Sequence, residues 1–301
     1  MARDVDHVLM GKRIVVTGSS GRAGRAVLAD LLDRGLDAIG VDLAPPVLSG
    51  PAQPARQLNG ELAESLQADL TDLGETLEVL KGAEFVVHLA NIPAPGKVPP
   101  GKLFTRNVTM NYNVFSAARD LGLQRVVWAS SETTLGLPFT DPPRHVPVDE
   151  SHYPLPGSSY ALSKVASETI AEHFARWSGV PHLALRFSNI LGPAEYREFP
   201  EGPWRDVRAR AWNLWGYVDE RDVAQVCRRA LTADVAGAEA FVIAAADTTM
   251  NRPSRELIAE VFPGVPVAAD LPEFGTLLAI DKARRSLGFE PRHSWRATIA
   301  P

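Results

Sequence analysis

Short runs of β-branched and aliphatic residues alternate along most of the chain with stretches where apolar residues return every three or four positions. The first run, Ile14–Val16, has the unbroken hydrophobicity of a strand buried on both faces. Ala23, Ala26, Val27, Leu28, Leu31 and Leu32 follow at helical spacing until Gly35 ends the helix. Further strands are predicted at Leu36–Val41, Ser65–Asp69, Phe85–Ala90, Gln124–Ala129, Val180–Phe187 and Ala240–Ala246. Helices are predicted at Asp72–Leu80, with Asp72 near its cap, and at Leu103–Leu121, Ser158–Ser178, Val218–Leu231, Arg252–Phe262 and Asp281–Leu287. Pro45–Pro54 reads as an exposed loop, and Gly192–Gly216, which mixes Pro, Trp and Arg without a period, as a segment covering a substrate. This alternation predicts an α/β fold with a doubly wound parallel sheet, whose ligands lie beyond the carboxyl ends of the strands.

Between the first strand and its helix stand Thr17, Gly18, Ser19, Ser20, Gly21, Arg22, Ala23 and Gly24. Three glycines in a strand-to-helix turn let backbone N–H groups approach a pyrophosphate at a helix N-terminus, where the dipole favours negative charge. Asp42 ends the second strand 18 residues after Gly24, the interval at which a carboxylate reaches the ribose hydroxyls of an adenine dinucleotide. An acid there repels a 2′-phosphate, which favours NAD over NADP, although Arg22 and Arg25 are near enough to meet a phosphate. The pair Asp69-Leu70 is placed to approach the adenine. The fold is thus of the Rossmann type, with a dinucleotide-binding domain over residues 1–188 completed by residues 218–246. A small C-terminal substrate-binding lobe is expected from residues 189–217 and 247–301.

Composition narrows the function. The 301 residues are 45% hydrophobic and 22% charged, which suits one globular body or two closely joined lobes. A net charge of −5 argues against a non-specific nucleic-acid binder. No apolar run approaches the roughly 20 residues of a membrane span, and Met1–Lys12 is too polar for a signal peptide, so the cytoplasm is expected. Cys227 is the single cysteine and no histidine pair has ligand spacing, so neither a disulfide nor a metal is expected. Cys227 and Tyr112 read as packing residues.

Tyr160 and Lys164 stand four residues apart, on one face of the Ser158–Ser178 helix. A phenol titrates near 10; an adjacent ammonium together with a cationic nicotinamide would bring it into the range of a general base. Ser130-Ser131 closes the preceding strand, on the same sheet edge as the glycine turn.

These pieces together resemble the extended short-chain dehydrogenase/reductase family, also called the NAD-dependent epimerase/dehydratase family. The matching residues run in order from the glycine turn through Asp42, Asp69-Leu70, His88-Leu89-Ala90 with Asn91, Asn107, Ser130-Ser131 with Gly136, Tyr160 with Lys164, Arg186-Phe187-Ser188-Asn189, and Tyr217-Val218-Asp219. The resemblance implies that Tyr160 is the acid/base and that Lys164 holds the nicotinamide ribose and lowers the Tyr160 pKa. It also implies that Ser131 bonds the reacting oxygen, and that Asn107 is structural or part of a proton path. A homodimer paired through the Leu103–Leu121 and Ser158–Ser178 helices is implied as well.

The family's dehydratases resemble one another in a Thr-Asp-Glu triplet; Ser131-Glu132-Thr133 lacks that acid pair. Only 33 residues separate Arg186 from Asp219, short for a lobe that holds a nucleoside diphosphate. In this trimming, and in Tyr196-Arg197, the chain is similar to the uronate dehydrogenases, which implies an Arg197 clamp on a substrate carboxylate and an Asn189 bond to a hydroxyl. The chain departs from them by inserting Glu198–Arg210. Trp204, Trp212 and Trp215 with Arg205, Arg208 and Arg210 are compatible with a lid over a sugar, or with a loop that packs its tryptophans inward. The function expected is NAD-dependent oxidation of a hydroxyl or hemiacetal on a small sugar or uronic acid. An epimerase with tightly bound NAD and a non-catalytic dinucleotide sensor are the alternatives.

Overall fold

The structure is a computed structural model describing residues 5–44, 57–58, 61–62, 65–139 and 142–299; the loop expected at Pro45–Pro54 lies outside the described residues. Seven parallel strands form the central sheet: β1 (Ile14–Thr17), β2 (Ala38–Asp42), β3 (Ser65–Gln67), β4 (Phe85–His88), β5 (Arg125–Ser131), β6 (His182–Phe187) and a last strand at Ala238–Ile243. Their spatial order is last strand, β6, β5, β4, β1, β2, β3. The strand order turns back between β1 and β4, which opens a crevice at their carboxyl ends.

Strand pleating divides the core in two. Ile14, Val16, Phe85, Val87, Val127, Leu183 and Leu185 face one apolar cluster, whereas Val15, Val86, Val126, Trp128 and Ala184 face the other. Helices cover both faces: α1 (Val5–Leu9) and α2 (Arg22–Asp33) on the first, α3 (Leu73–Leu80), α4 (Pro100–Leu121) and α5 (Ser159–Ser178) on the second. Asp72 caps α3 as expected, its carboxylate accepting from Glu75 N at 2.9 Å. Pro100 extends α4 one turn earlier than predicted, since a proline at the first helical position loses no hydrogen bond.

Two departures from the predicted elements bear on the site. Strand β5 continues to Ser131, with Ser130 and Ser131 in register with Arg186 and Phe187 of β6. The helix predicted from Val218 is preceded by a short strand, β8 (Val218–Asp219), which pairs in parallel with β7 (Ile190–Leu191). Asp219 then caps α7 (Glu220–Thr232), its carboxylate accepting from Arg221 N at 2.9 Å, and the last strand of the main sheet is β9. Between β7 and β8 run the short helix α6 (Pro193–Tyr196) and a series of turns. The chain closes with α8 (Ser254–Val261) and α9 (Asp281–Leu287). Leu191, Tyr196, Phe199, Tyr217 and Trp295 build a small separate core beside the main one.

Candidate active site

The crevice at the strand ends is a cleft of about 990 Å³. At one end β1 runs into the glycine turn. Gly18 has φ +70°, and a Cβ there would sit 2.6 Å from Ala90 N, while one on Gly24 would overlap the Gly18 carbonyl. Only glycine lets the turn, the start of α2 and the end of β4 meet this closely. Thr17 Oγ1 fixes the same junction, bonding His88 Nδ1 at 2.7 Å and accepting from Ala90 N at 3.3 Å. Burial and the nearby Lys164 charge push the His88 imidazole down to about 3, so it is neutral. Asp42 is fastened to the turn by Ser20 N, which donates to its Oδ2 at 2.9 Å.

Of the residues expected to bind a cofactor, Gly18, Ser20, Gly21, Arg22, Ala23, Gly24, Asp42, Asp69, Leu70, Leu89, Ala90, Asn91 and Tyr160 line this cleft. The cradle left by missing Cβ atoms, the start of α2 and a buried Asn91 Oδ1 with no partner fit a dinucleotide. Asp69 is held in place by Arg106, which donates to its Oδ2 at 3.0 Å, and by Thr71. Although partial burial opposes it, the bonds from Thr71 and the Arg106 charge hold that carboxyl below its ordinary range. Asn107 is not in the lining. Its amide accepts from Ile92 N at 2.8 Å and donates to Ile92 O at 3.1 Å, stapling the loop after β4 to α4. Arg22 is taken up by two acids, Glu195 of α6 and, at 3.9 Å, Glu220 of α7.

The sheet edge then brings the expected chemical groups together. Ser131, held by β6, and Tyr160, in the first turn of α5, both line the cleft, with the Ser131 hydroxyl, which accepts from Thr133 Oγ1 at 2.9 Å, near the phenol. Lys164 lies beneath them, fully buried, its Nζ 5.6 Å from the Tyr160 ring centre and donating to Ala129 O at 2.7 Å. Burial pushes the lysine down to about 7 and the phenol up to about 12, against the pull of the Ser131 hydroxyl. On balance the chain's own groups raise the Tyr160 pKa, so ionising the phenol calls for a further positive charge at the cleft.

The far end holds residues that the motifs did not single out. Glu132, next to Ser131 and 3% exposed, accepts from Ser188 Oγ at 2.5 Å and from Asn213 Nδ2 at 3.3 Å. Desolvation pushes its carboxyl up to about 7 despite these bonds and the nearby Arg210. A lone acid in the hydroxyl-rich end of a buried strand was the signal available in the sequence. Arg197 is exposed and outside the cleft lining, because Tyr196 turns inward to donate to Asp219 Oδ2 at 2.5 Å. The arginine near the site is instead Arg210, which faces Asn189. The tryptophans divide: Trp215 is fully buried, Trp204 packs on Trp295 at 5.1 Å between ring centres, and Trp212 lines the cleft. Arg205 and Arg208 are exposed. Cys227 is buried in the core, and Tyr112 packs edge-on against Phe174 while staying half exposed.

Among the described residues no group of three or more His, Cys, Asp or Glu is placed to hold a metal, and no helix is long and apolar enough to cross a membrane. The chain is 28% identical over 201 residues to a protein of Haloferax volcanii described as NAD-dependent glucose-6-phosphate dehydrogenase, covering 64% of this chain and 74% of that one. It is 30% identical over 196 residues to a putative UDP-glucose 4-epimerase of Methanocaldococcus jannaschii, covering 63% of this chain and 58% of that one. A crystal structure of a short-chain dehydrogenase/reductase superfamily protein from Agrobacterium tumefaciens with bound NAD shares the fold, with a TM-score of 0.69 at 23% identity over 95% of this chain and 94% of that one. The model of the NAD dependent epimerase/dehydratase family matches residues 14–244. With the glycine cradle, Asp42, Ser131 and Tyr160 lining one cleft and Lys164 buried beneath it, the chain belongs to the NAD-dependent epimerase/dehydratase family.

Proposed function

We propose that the protein is an NAD-dependent dehydrogenase that oxidises a hydroxyl or hemiacetal carbon of a small sugar or uronic acid. The observation that carries this reading is that Ser131 and Tyr160 line the same cleft as the dinucleotide cradle, with Lys164 buried below the Tyr160 ring. When bound, the nicotinamide accepts the hydride and adds the positive charge that the Tyr160 phenol needs to ionise. Tyr160 takes the hydroxyl proton, and Ser131 holds the oxygen as it becomes a carbonyl. Lys164 lies below the phenol and would hold the nicotinamide ribose when the cofactor is bound. Asp42 favours the free 2′-hydroxyl of NAD over the phosphate of NADP, and Arg22, engaged by Glu195 and Glu220, does not offset that preference.

The small substrate follows from the far end of the cleft. Tyr196, Phe199, Trp204 and Trp215 fold into core contacts, so the segment between β7 and β8 forms a wall with Trp212 as its apolar face. Arg197 takes no part in this site. The expected homodimer along α4 and α5 belongs to the same proposal; exposed Tyr112 and Leu162 stand on those helices, and light scattering on the purified protein tests it.

The enzyme reading is tested by incubating purified protein with NAD and a panel of hexoses, pentoses, hexuronates and sugar phosphates, following the NADH absorbance band. NADH formation with a sugar or uronate is expected. NAD retained through purification, with a UDP-sugar converted and no NADH released, would establish the epimerase instead.

A further inference from the structure

The segment between β7 and β8 carries a partly buried cation that neither the dinucleotide cradle nor the Ser131–Tyr160 pair uses. Arg210 donates to Gly216 O at 3.2 Å, and its Nε is enclosed without a partner. Its Nη1 and Nη2 face the Asn189 side chain at 3.2 and 3.0 Å. A guanidinium has only donors, so the amide is assigned with its oxygen toward Arg210; the reverse would set N–H against N–H. Asn189 lines the cleft and Arg210 does not, and with the oxygen on the guanidinium the NH2 is the remaining polar group of that amide.

The arrangement is braced on several sides. Glu132 lies near the guanidinium and accepts from Ser188 Oγ and Asn213 Nδ2. Asn213 and Arg210 converge on the same Gly216 carbonyl. The Arg210 guanidinium also lies 5.8 Å from the Trp212 ring centre, and that ring is part of the cleft wall. One carboxylate beside the reacting serine therefore ties together the end of β5, the end of β6 and the covering segment.

We propose that Arg210 is a positioning residue that sets substrate specificity: it locks the Asn189 amide with N–H toward the cleft, making this subsite a hydrogen-bond donor beside the Trp212 wall. Resting on the proposed oxidation, this narrows the substrate to a sugar that stacks a ring face on Trp212 and presents an accepting oxygen to Asn189. A ring, hydroxyl, carbonyl or carboxylate oxygen meets that requirement, and a protonated amino group does not.

The test compares Arg210→Met, Arg210→Lys and Asn189→Asp with Arg208→Met, a change at an exposed position of the same segment. In a side-chain amide NMR spectrum, the NH2 pair that Asn189→Asp deletes is expected to shift in Arg210→Met and to keep its place in Arg208→Met. With the sugar that reduces NAD in the panel, KM rises roughly tenfold in Arg210→Met, as for loss of one well-placed hydrogen bond. Arg210→Lys recovers part of this, and kcat and NAD affinity change little. An amino-sugar analogue loses to the parent sugar in the wild type and by less in Arg210→Met. An unmoved Asn189 signal, or equal losses in kcat and NAD affinity, would overturn the proposal. Absence of turnover with every sugar would sink the oxidation reading, while the amide signal would still decide the Arg210 contact.

Discussion

The two ends of the cleft are built by different means. The cofactor end is made of backbone: missing Cβ atoms at Gly18 and Gly24, the first turn of α2, and the Ser20 N–H that secures Asp42. The substrate end is made of side chains drawn from the ends of β5 and β6 and from the covering segment, joined by Glu132, Asn189, Arg210 and Asn213. A backbone site depends on local sequence and tolerates almost no substitution. A side-chain site depends on residues far apart in the chain and can change its ligand one residue at a time.

The largest effect is expected where the two ends meet. Tyr160→Phe keeps the ring over Lys164 and removes only the proton acceptor, so kcat falls about 10²–10⁴-fold while NAD affinity stays near the wild-type value. Steady-state rates with the responding sugar, beside an NAD titration, check it; a kcat within a factor of three would remove Tyr160 from the chemistry. Next comes Gly24→Ala. The added methyl must displace the Gly18 carbonyl, at a cost of about 3 kcal/mol, the upper end for overpacking, and NAD binding is lost with it. Thermal unfolding with and without NAD reads both effects, and a variant that is still stabilised by NAD would mean the cradle is not where the dinucleotide sits.

This contrast also explains what the sequence made legible. Strand periodicity, three glycines at fixed spacing and an acid 18 residues on are all local signals, and each maps onto the cofactor end. Tyr160 and Lys164 were readable because one helix face carries both. Arg197 was placed by its neighbour in sequence, yet tertiary packing chose Tyr196 for the interior and turned Arg197 out. Arg210 and Glu132 are 78 residues apart, and no periodicity links them. The two residues of β8 read as the start of the following helix; pairing with Ile190 and Leu191, remote in sequence, makes them a strand instead.

Glu132 gives the third prediction. Its folded pKa lies near 7 and its ordinary value near 4.5, so between those values the folded chain binds more protons than the unfolded one. Stability therefore falls as pH rises from 4.5 to 7, with a slope from this group of no more than ~1.4 kcal/mol per pH unit. Glu132→Gln removes that slope, because the amide does not titrate, and its oxygen still accepts from Ser188. Urea unfolding at several pH values compares the two; parallel curves would show that the carboxyl is ionised in the fold. The same change lowers the Tyr160 pKa, since an ionised Glu132 raises it, so the lower limb of the kcat profile moves to lower pH.

The smallest effect tests the contact that crosses between the two ends. Arg22 leaves the glycine turn to meet Glu195 and Glu220, acids of the elements flanking the substrate wall, and its charge is thereby withheld from a phosphate. The Arg22 side chain is 39% exposed and that of Glu195 28%, so Glu195→Gln costs less than ~1 kcal/mol of stability at neutral pH. The Arg22 bond holds the Glu195 carboxyl down to about 2, so the contribution is present above the ordinary pKa of 4.5 and is lost as pH falls toward 2. The informative readout is cofactor choice. With Glu195 neutral, Arg22 keeps only the distant Glu220 and gains freedom to face the 2′-phosphate, while Asp42 still repels it. The NADP-to-NAD ratio of dissociation constants should narrow by a few fold, with NAD still preferred. If the ratio is unchanged, Asp42 alone sets the preference, and the two ends of the cleft are independent in function as well as in construction.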